Sequence, residues 1–361
     1  MLLPKDYIRL LLTGSYATEV SDASGTSLLN VRERKWSPEM ATAAFVEENW
    51  LPECFESVEV SGHVSARAAD ALGLKPGTPV VGGGGDQAAG GIGSGIVKPG
   101  LVSSSLGTSG VVFAFADSPF VDDKLRTHTF CHAVSGKWHV MGVVLSAGGS
   151  LRWYRDTFCE DEKRAAAERG VDPYELITAS AKDIPPGADG LFFLPYLSGE
   201  RTPYPDPCAR GVFFGATLKH TKAHFARAVL EGVGFAMADS FSIMRGMGID
   251  ATQARVMGGG ARSTVWTQIL ADITGCPHVT LNVDEGPAYG VALLAGVSQG
   301  VWGSIEEACS AALVPVRTVS PDAAASGAYQ GLHEFYTSLY GSLKERFAAL
   351  NDISRMGAAD G

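Results

Sequence analysis

Little in this sequence of 361 residues indicates a disulfide framework, a nucleic-acid surface or a membrane segment. The cysteines are few and widely spread with no CxxC pair, which is typical of reduced thiols in a cytosolic protein and argues against a structural zinc site. The formal net charge is −10 and no basic run exceeds the scattered Arg32, Arg34 and Lys35, so the charge pattern of a nucleic-acid or anionic-membrane binder is absent. The six cysteines are Cys54, Cys131, Cys159, Cys208, Cys276 and Cys309.

Long apolar runs are also missing. The opening residues MLLPKDYIRLLLTG carry Lys5, Asp6 and Arg9, which disfavours both a membrane span and a signal peptide. We therefore expect a cytoplasmic protein without a membrane partner. What the chain does have is an ordinary globular composition, 45% hydrophobic and 19% charged, with enough length for two full domains.

Strands, glycine-rich turns and helices alternate along the chain. Such a pattern predicts an α/β fold whose ligands bind at the turns. The turn Lys98-Pro99-Gly100 is the best domain boundary. Helices are predicted at residues 4–12, in pieces of 37–74, and at 222–247 and 288–297, with loops and short extended pieces at 21–31. Strands are predicted at residues 79–81, 101–105, 111–116, 138–144, 191–194 and 254–257.

The segment GGGGDQAAGGIGSG, residues 82–95, places one carboxylate among glycines. Asp86 is the only charged residue from Val80 to Val97. An aspartate in a glycine loop is often a solvated turn residue that bonds its own backbone. Here the flanking residues are apolar, and the glycines allow a ligand to approach closely. These features favour Asp86 as a general base beside a bound hydroxyl.

Two further turns suit anions. In SLGTSG, Gly107 and Thr108 follow an apolar and hydroxyl-rich strand and offer backbone N–H groups and hydroxyls with no acid nearby. The turn GGGA at residues 258–261 precedes a predicted helix, where it suits an adenosine or phosphate as well as it suits tight strand-to-helix packing. A base beside one pocket and an anion cradle beside another are the minimum equipment for transferring a phosphoryl group to an alcohol.

Other classes of site fit less well. Gly83-x-Gly85-x-x-Ala88 formally matches a dinucleotide fingerprint, but no acid lies between residues 87 and 116 to bind a ribose, and no GxxxxGK[ST] phosphate loop occurs. His128, Cys131 and His132 invite a metal interpretation, yet strand alternation would separate Cys131 from the histidines and no third ligand follows. We assign no metal ligands. The segment of residues 192–207, with Glu200-Arg201, is interpreted as an ordered surface loop, and a role at the cleft stays open.

Six motifs together resemble the FGGY carbohydrate kinases over essentially the whole chain. They are LLPKDYIRLLLTGSYATEVSDASGT, GGGGDQAAGGIGSG, SLGTSG, FLPYLSGERTP, GVFFGATLKHTKAHFARAVLEGVGFA and GGGARSTVWTQILADITG. The resemblance implies an actin-like, ribonuclease-H-like ATPase fold of two domains with an ATP–sugar cleft between them. Residues 1–98 would be the remainder of the N-terminal, sugar-side domain and residues 101–352 the C-terminal, nucleotide-side domain.

The resemblance also implies roles for individual residues. Asp86 falls on the catalytic base and, with Gln87, on a sugar contact. The nucleotide is expected to be ATP with Mg²⁺. Arg152 and Thr264 replace amides of the glycerol kinase branch. The nucleotide-binding positions fall on Gly107, Thr108, Gly148, Arg152, Gly259, Gly260, Ala261 and Thr264.

The activity implied by the resemblance is ATP-dependent phosphorylation of a small sugar, with D-xylulose as the expected substrate. Ribulose, fuculose, gluconate and glycerol stay open as substrates of the same family, and a non-catalytic remnant or binding half stays open as a different class. No nucleic-acid partner is expected, and a homodimer is left open.

Family members begin with a strand and a DxGTxxxK-type turn that binds phosphate and places Mg²⁺. No DxGT precedes Asp86 here. The resemblance thus implies an N-terminally truncated chain with an incomplete first domain. We expect such a chain to expose apolar surface and a sheet edge, to aggregate or bind a partner, and to be inactive by itself.

Overall fold

A computed structural model describes residues 1–283 and 286–359. Up to Gly93 the chain forms short elements. The helices there are α1 (Pro4–Thr13), α2 (Val20–Ala23), α3 (Pro38–Ala43), α4 (Ala66–Leu72) and α5 (Asp86–Gly93). The strands are β1 (Ala17–Glu19), β2 (Leu29–Asn30), β3 (Lys35–Trp36), β4 (Glu53–Phe55), β5 (Val60–His63) and β6 (Pro79–Val81). They form three separate pairs, β1 with β4, β2 with β3 and β5 with β6.

This first part differs locally from the sequence prediction. The predicted loop at residues 21–31 contains α2 and a 3-10 turn, because the Glu19 carboxylate accepts the Ser21 and Asp22 N–H groups and starts a helix. The predicted helix after residue 41 ends at Ala43, since Phe45 takes a left-handed φ of 57°. Strands β4 and β5 lie within residues 37–74, between the pieces that were predicted to be helical.

The largest sheet has seven strands in the order β15-β14-β13-β7-β8-β10-β9. Strands β7, β13 and β14 are parallel, and the other neighbours are antiparallel. Because β7 and β13 are parallel neighbours, the glycine turns that follow them lie at one edge of the sheet. The remaining strands are β7 (Leu101–Leu106), β8 (Gly110–Ala116), β9 (His128–Cys131), β10 (Trp138–Val144), β11 (Phe192–Leu194), β12 (Val212–Phe214), β13 (Gln253–Met257), β14 (His278–Leu281) and β15 (Pro315–Val319).

Helices cover both faces of this sheet. The helices are α6 (Gly148–Phe158), α7 (Glu160–Arg169), α8 (Pro173–Ser180), α9 (Lys222–Gly246), α10 (Thr264–Thr274), α11 (Gly286–Ser298), α12 (Ile305–Ala312) and α13 (Ala323–Ala359). Helix α9 is buried along most of its length and packs with α6 and α10 on the face that carries Val112 and Val140. The opposite face carries Phe113, which packs against Ile96, just after α5. The helix expected to start directly at the GGGA turn begins at Thr264, after a 3-10 turn.

Helix α5 crosses α11 at bare glycines. A Cβ on Gly93 would lie 1.8 Å from the Gly286 carbonyl oxygen, and one on Gly290 would lie 1.9 Å from the Ala89 carbonyl oxygen, so any side chain there would separate the helices. The two helices thereby bring Asp86, at the start of α5, into a defined position relative to the large sheet.

The direction of α5 follows from its contacts with β13. Beyond the end of the helix, the Ser94 carbonyl accepts a 2.5 Å hydrogen bond from Arg255 Nη1. Gly90 lies one helical turn before Ser94 and is next to Gly286. Gly286 is also next to Met257, the last residue of β13. Thus α5 runs back along β13, and its first residue is directed to the edge where the glycine turns lie.

Within residues 1–283 and 286–359, none of the helices has the length and apolar content needed to cross a bilayer.

Candidate active site

A cavity of about 500 Å³ opens at the edge of the sheet where β7 and β13 end. This volume is in the range of small-molecule sites. Its walls come from the two glycine turns, the start of α6, helix α8 and the start of α10. The lining residues are Leu106, Gly107, Thr108, Gly148, Leu151, Arg152, Asp172, Tyr174, Glu175, Thr178, Gly259, Gly260, Arg262, Ser263 and Trp266.

Backbone contacts hold the turns together. The N–H groups of Ala147 and Gly148 donate to the carbonyls of Thr108 and Gly107 at 2.9 and 2.8 Å, which ties the start of α6 to the turn after β7. Gly258, with φ of 83°, packs so closely on β7 that a Cβ would lie 2.8 Å from the Leu106 carbonyl oxygen. The structure therefore brings together turns that are about 150 residues apart, as the nucleotide-site interpretation requires.

Charged and aromatic side chains line the cavity. Arg152 and Arg262 are exposed cations near the glycine turns. Asp172 caps α8 by accepting from the Tyr174 N–H, and Arg155 covers the Tyr174 ring at 4.7 Å. Glycine turns, cations and an aromatic ring around one cavity suit a ligand with a phosphate tail and a flat ring.

The other expected nucleotide residues are distributed differently. Ala261 lines a second cavity of about 410 Å³ on the far side of Gly259, and its carbonyl accepts from Arg317 Nη2. Thr264 is exposed at the first position of α10 and lines neither cavity as the described residues define them.

Asp86 stands at the first position of α5, outside both cavities. Its carboxylate is exposed and accepts from the Gln87 N–H at 2.8 Å and from Gln87 Nε2 at 3.3 Å. The apolar flanks suggested a withdrawn side chain, but only the helix behind it is buried. Free lone pairs on an exposed carboxylate suit proton acceptance from a bound hydroxyl.

An ionic cluster lies behind Asp86, and the sequence analysis missed it. The Lys5 ammonium lies 3.4 Å from a carboxylate oxygen of the buried Glu19 and 3.6 Å from one of Asp22. Burial is the main cause that raises the pKa of Asp22; Lys5 opposes it and the charge of Asp86 adds to it. Ser21 directly precedes Asp22, and its Oγ accepts a hydrogen bond from the Gly85 N–H at 3.0 Å. The cluster thus braces the turn that carries Asp86.

The segment around Glu200 is ordered, as expected, but it is not simply a surface loop. Glu200 is 3% exposed and Thr202 is buried, whereas Arg201 is exposed. One Glu200 oxygen accepts from the Leu145 and Arg201 N–H groups at 2.9 and 2.8 Å. Among the described residues, the other oxygen has no partner.

This burial predicts a pH-dependent stability. Desolvation, with a smaller contribution from the Asp239 charge, raises the pKa of Glu200 to about 8. Between its unfolded pKa of about 4.3 and this value, the folded state binds the extra proton, so stability falls as pH rises through that range. We expect the Glu200→Gln variant to lose less stability between pH 5 and pH 8 than the parent, in urea unfolding.

The matched control is Glu168→Gln, because Glu168 is exposed at the end of α7. It should follow the parent at every pH. If Glu200→Gln shows the same pH dependence as the parent, Glu200 is ionised in the folded state and this inference fails.

The histidines considered as metal ligands are used otherwise. His132 is buried, its Nδ1 accepts from the Val134 N–H, and its Nε2 lies 3.0 Å from the Ile96 carbonyl oxygen. Burial lowers the pKa of His132 to about 3. No cluster of three or more histidine, cysteine or acidic side chains with metal-binding geometry occurs in the part of the chain that the structure describes.

Two glycine turns at the ends of parallel strands, facing a carboxylate on a second element, define an α/β protein built for phosphoryl chemistry. The chain belongs to the FGGY family of carbohydrate kinases, which are phosphotransferases: the N-terminal domain of that family matches residues 1–93 and the C-terminal domain matches residues 102–299.

Relatives of known name cover most of the chain. It is 41% identical to the xylulose kinase of Escherichia coli (strain K12) over 95% of this chain and 68% of that protein. It is 33% identical to the gluconokinase of Bacillus subtilis (strain 168), over 97% of this chain and 68% of the relative. A crystal structure of a "xyloylose kinase" from Brucella ovis superposes with a TM-score of 0.86 at 36% identity, covering 95% of this chain and 68% of the other. These likenesses agree with the actin-like ATPase fold expected from the sequence.

Proposed function

We propose that this chain carries the nucleotide site and the catalytic base of an enzyme that phosphorylates D-xylulose with ATP. The observation that carries the proposal is the cavity at the end of β7 and β13, toward which α5 directs Asp86. The similarity to xylulose kinases supports the choice of sugar. A cytoplasmic location and a division into domains of residues 1–98 and 101–352 belong to the same proposal.

The residues would act in one cleft. ATP would place its base near Tyr174 and its phosphates along Gly259 and the Gly107–Thr108 turn, whose N–H groups and hydroxyl donate to phosphate oxygens. The sugar hydroxyl would lie at Asp86, with Gln87 beside it. Asp86 would accept the hydroxyl proton while the oxygen attacks the terminal phosphorus and ADP leaves.

Mg²⁺ fits this arrangement as a companion of the nucleotide. It is usually bound by one or two carboxylates together with substrate phosphates. The half-buried Asp22, near Asp86, is a carboxylate of this kind on the sugar side. When bound, the ion would neutralise phosphate charge.

A panel of sugars tests the proposal. In an active enzyme that contains this chain, we expect kcat/KM for D-xylulose to exceed that for D-ribulose, L-fuculose, D-gluconate and glycerol by at least about ten-fold, because a site built to bond several hydroxyls rejects those that misplace them. Release of ADP is the measurement. The chain is also similar to a gluconokinase. A preference for gluconate would contradict D-xylulose as the substrate, but it would still agree with the proposed kinase activity. ATP binding with no turnover of any sugar would indicate a binding half instead.

A further inference from the structure

The loop from Glu200 to Asp206 commits almost all of its polar side chains to anchoring. Its ends pair through two backbone hydrogen bonds of 2.9 and 3.0 Å. Tyr204 stacks on Tyr340 with ring centroids 3.7 Å apart, and the Tyr340 hydroxyl donates to Asp206 at 2.9 Å. Thr202 is fully buried. The loop is therefore held from both sides before any ligand is bound.

Arg201 is the exception. Its side chain is exposed, and its guanidinium has no hydrogen bond or ion pair with any residue that the structure describes. Its backbone is nonetheless fixed, because the N–H of Arg201 donates to the buried carboxylate of Glu200. A rigid backbone that presents one unpaired cation is the arrangement expected of an anion-binding group.

The loop is attached to the end of β10. Thr202 N–H donates to the Val143 carbonyl at 3.0 Å, and the Val143 N–H donates to Thr202 Oγ1 at 3.0 Å. Glu200 accepts from the N–H of Leu145, the next turn residue. Strand β9 pairs with β10 only as far as Met141, and the loop bonds to β10 beyond that residue, at Val143.

The same turn supports the phosphate cradle. Residues 145–148 bond Glu200 at one end, through Leu145, and the Gly107–Thr108 turn at the other, through Ala147 and Gly148. Between them, Ser146 Oγ lies 2.8 Å from Ser198 Oγ. Glu200, the residue before Arg201, and the Gly107–Thr108 turn therefore both bond to one four-residue segment.

Arg201 also lies toward the side of Asp86. Burial and then the Arg201 charge lower the pKa of His128, so the guanidinium lies near that imidazole. The His128 ring lies 5.9 Å from Phe130, which packs on His139, and His139 stacks on Phe113 at 4.3 Å. Phe113 is the residue that contacts α5. His128 therefore belongs to the sheet face that α5 covers, and Arg201 lies near His128.

We propose that Arg201 binds the terminal phosphate of ATP and stays bound to the phosphoryl group while it is transferred to the sugar. The inference rests on the proposed kinase function and adds a residue to it. A bond forms between the sugar oxygen and the terminal phosphorus, the bond from that phosphorus to the bridging oxygen of ADP breaks, and the hydroxyl proton passes to Asp86. The planar guanidinium would donate to two oxygens of the phosphoryl group, whose charge it offsets throughout.

Nucleotide binding tests the inference without relying on turnover. Calorimetry with Mg²⁺ and either a non-hydrolysable ATP analogue or ADP compares the parent chain with Arg201→Gln. We expect affinity for the analogue to fall by about 10- to 100-fold, the usual effect of losing a charged hydrogen bond, and affinity for ADP to change little. Arg201→Lys should recover part of the loss. Arg169→Gln, which removes an exposed arginine at the end of α7, should change neither.

The outcomes separate the two proposals. A parent chain that binds neither nucleotide contradicts the proposed function, and the inference with it. A parent that binds the analogue while Arg201→Gln binds it equally well overturns the role of Arg201 alone. Equal weakening of ADP and the analogue would also overturn it, because Arg201 would then act on the cradle and not on the terminal phosphate.

Discussion

Replacing Asp86 by asparagine in an active enzyme that contains this chain should lower turnover by about 10²- to 10⁴-fold, the usual contribution of a general base. Asparagine keeps the size of the side chain and can still accept from the Gln87 N–H, so α5 should start at the same residue. Because Asp86 lies outside the cavity, ATP affinity should stay close to the parent value. The measurements are kcat with the best sugar and calorimetric ATP binding.

The control for this variant is Asp70→Asn, which removes an exposed carboxylate from α4. It should leave kcat unchanged. If Asp86→Asn keeps more than about a tenth of the parent turnover, another group accepts the proton and the assignment is wrong.

Filling the nucleotide cradle should have the second large effect. Gly259 lines the cavity, and a Cβ added there would meet no atom within 4 Å, so the added volume would enter the space left for a ligand. We expect Gly259→Val to weaken ATP binding by roughly 5- to 150-fold, the equivalent of the 1–3 kcal/mol that overpacking costs. Because the added Cβ would contact no protein atom, we expect the melting temperature to change little.

Gly331→Val is the matched control, since Gly331 also has open space at its Cβ but is exposed on α13, away from the cavity. It should leave ATP binding unchanged. Normal ATP affinity in a folded Gly259→Val variant would mean that the nucleotide binds elsewhere, and it would remove the cavity from the proposal.

The elements that were predicted well are those whose signals are local. The strand at residues 138–144 and the long helix starting at Lys222 appear at nearly their predicted bounds, because an apolar run and a regular apolar spacing act over neighbouring residues. The prediction was wrong at residues 21–23, where the Glu19 carboxylate caps a helix, and after Ala43, where Phe45 adopts a left-handed φ and the predicted helix ends. Both depend on local backbone choices that composition does not reveal.

The candidate site divides in the same way. The glycine turns and Asp86 could be found in the sequence, since glycine allows a ligand to approach the backbone closely and Asp86 is the one charged residue from Val80 to Val97. Asp172, Tyr174 and Glu175 could not, because they line the cavity only through the packing of α8 beside the two turns. Nor could Lys5, which reaches Glu19 and Asp22 across the fold of the first residues.

The sequence alone determined the family, the order of the turns and the chemistry available at each, because these depend on residue type and short spacing. Only the tertiary structure decided which residues share a cavity, in which direction α5 runs and where Arg201 lies. The physical reason is that these relations arise from contacts between distant segments: parallel pairing of β7 with β13, the glycine crossing of α5 with α11, and the buried Glu200 carboxylate that joins its loop to the end of β10.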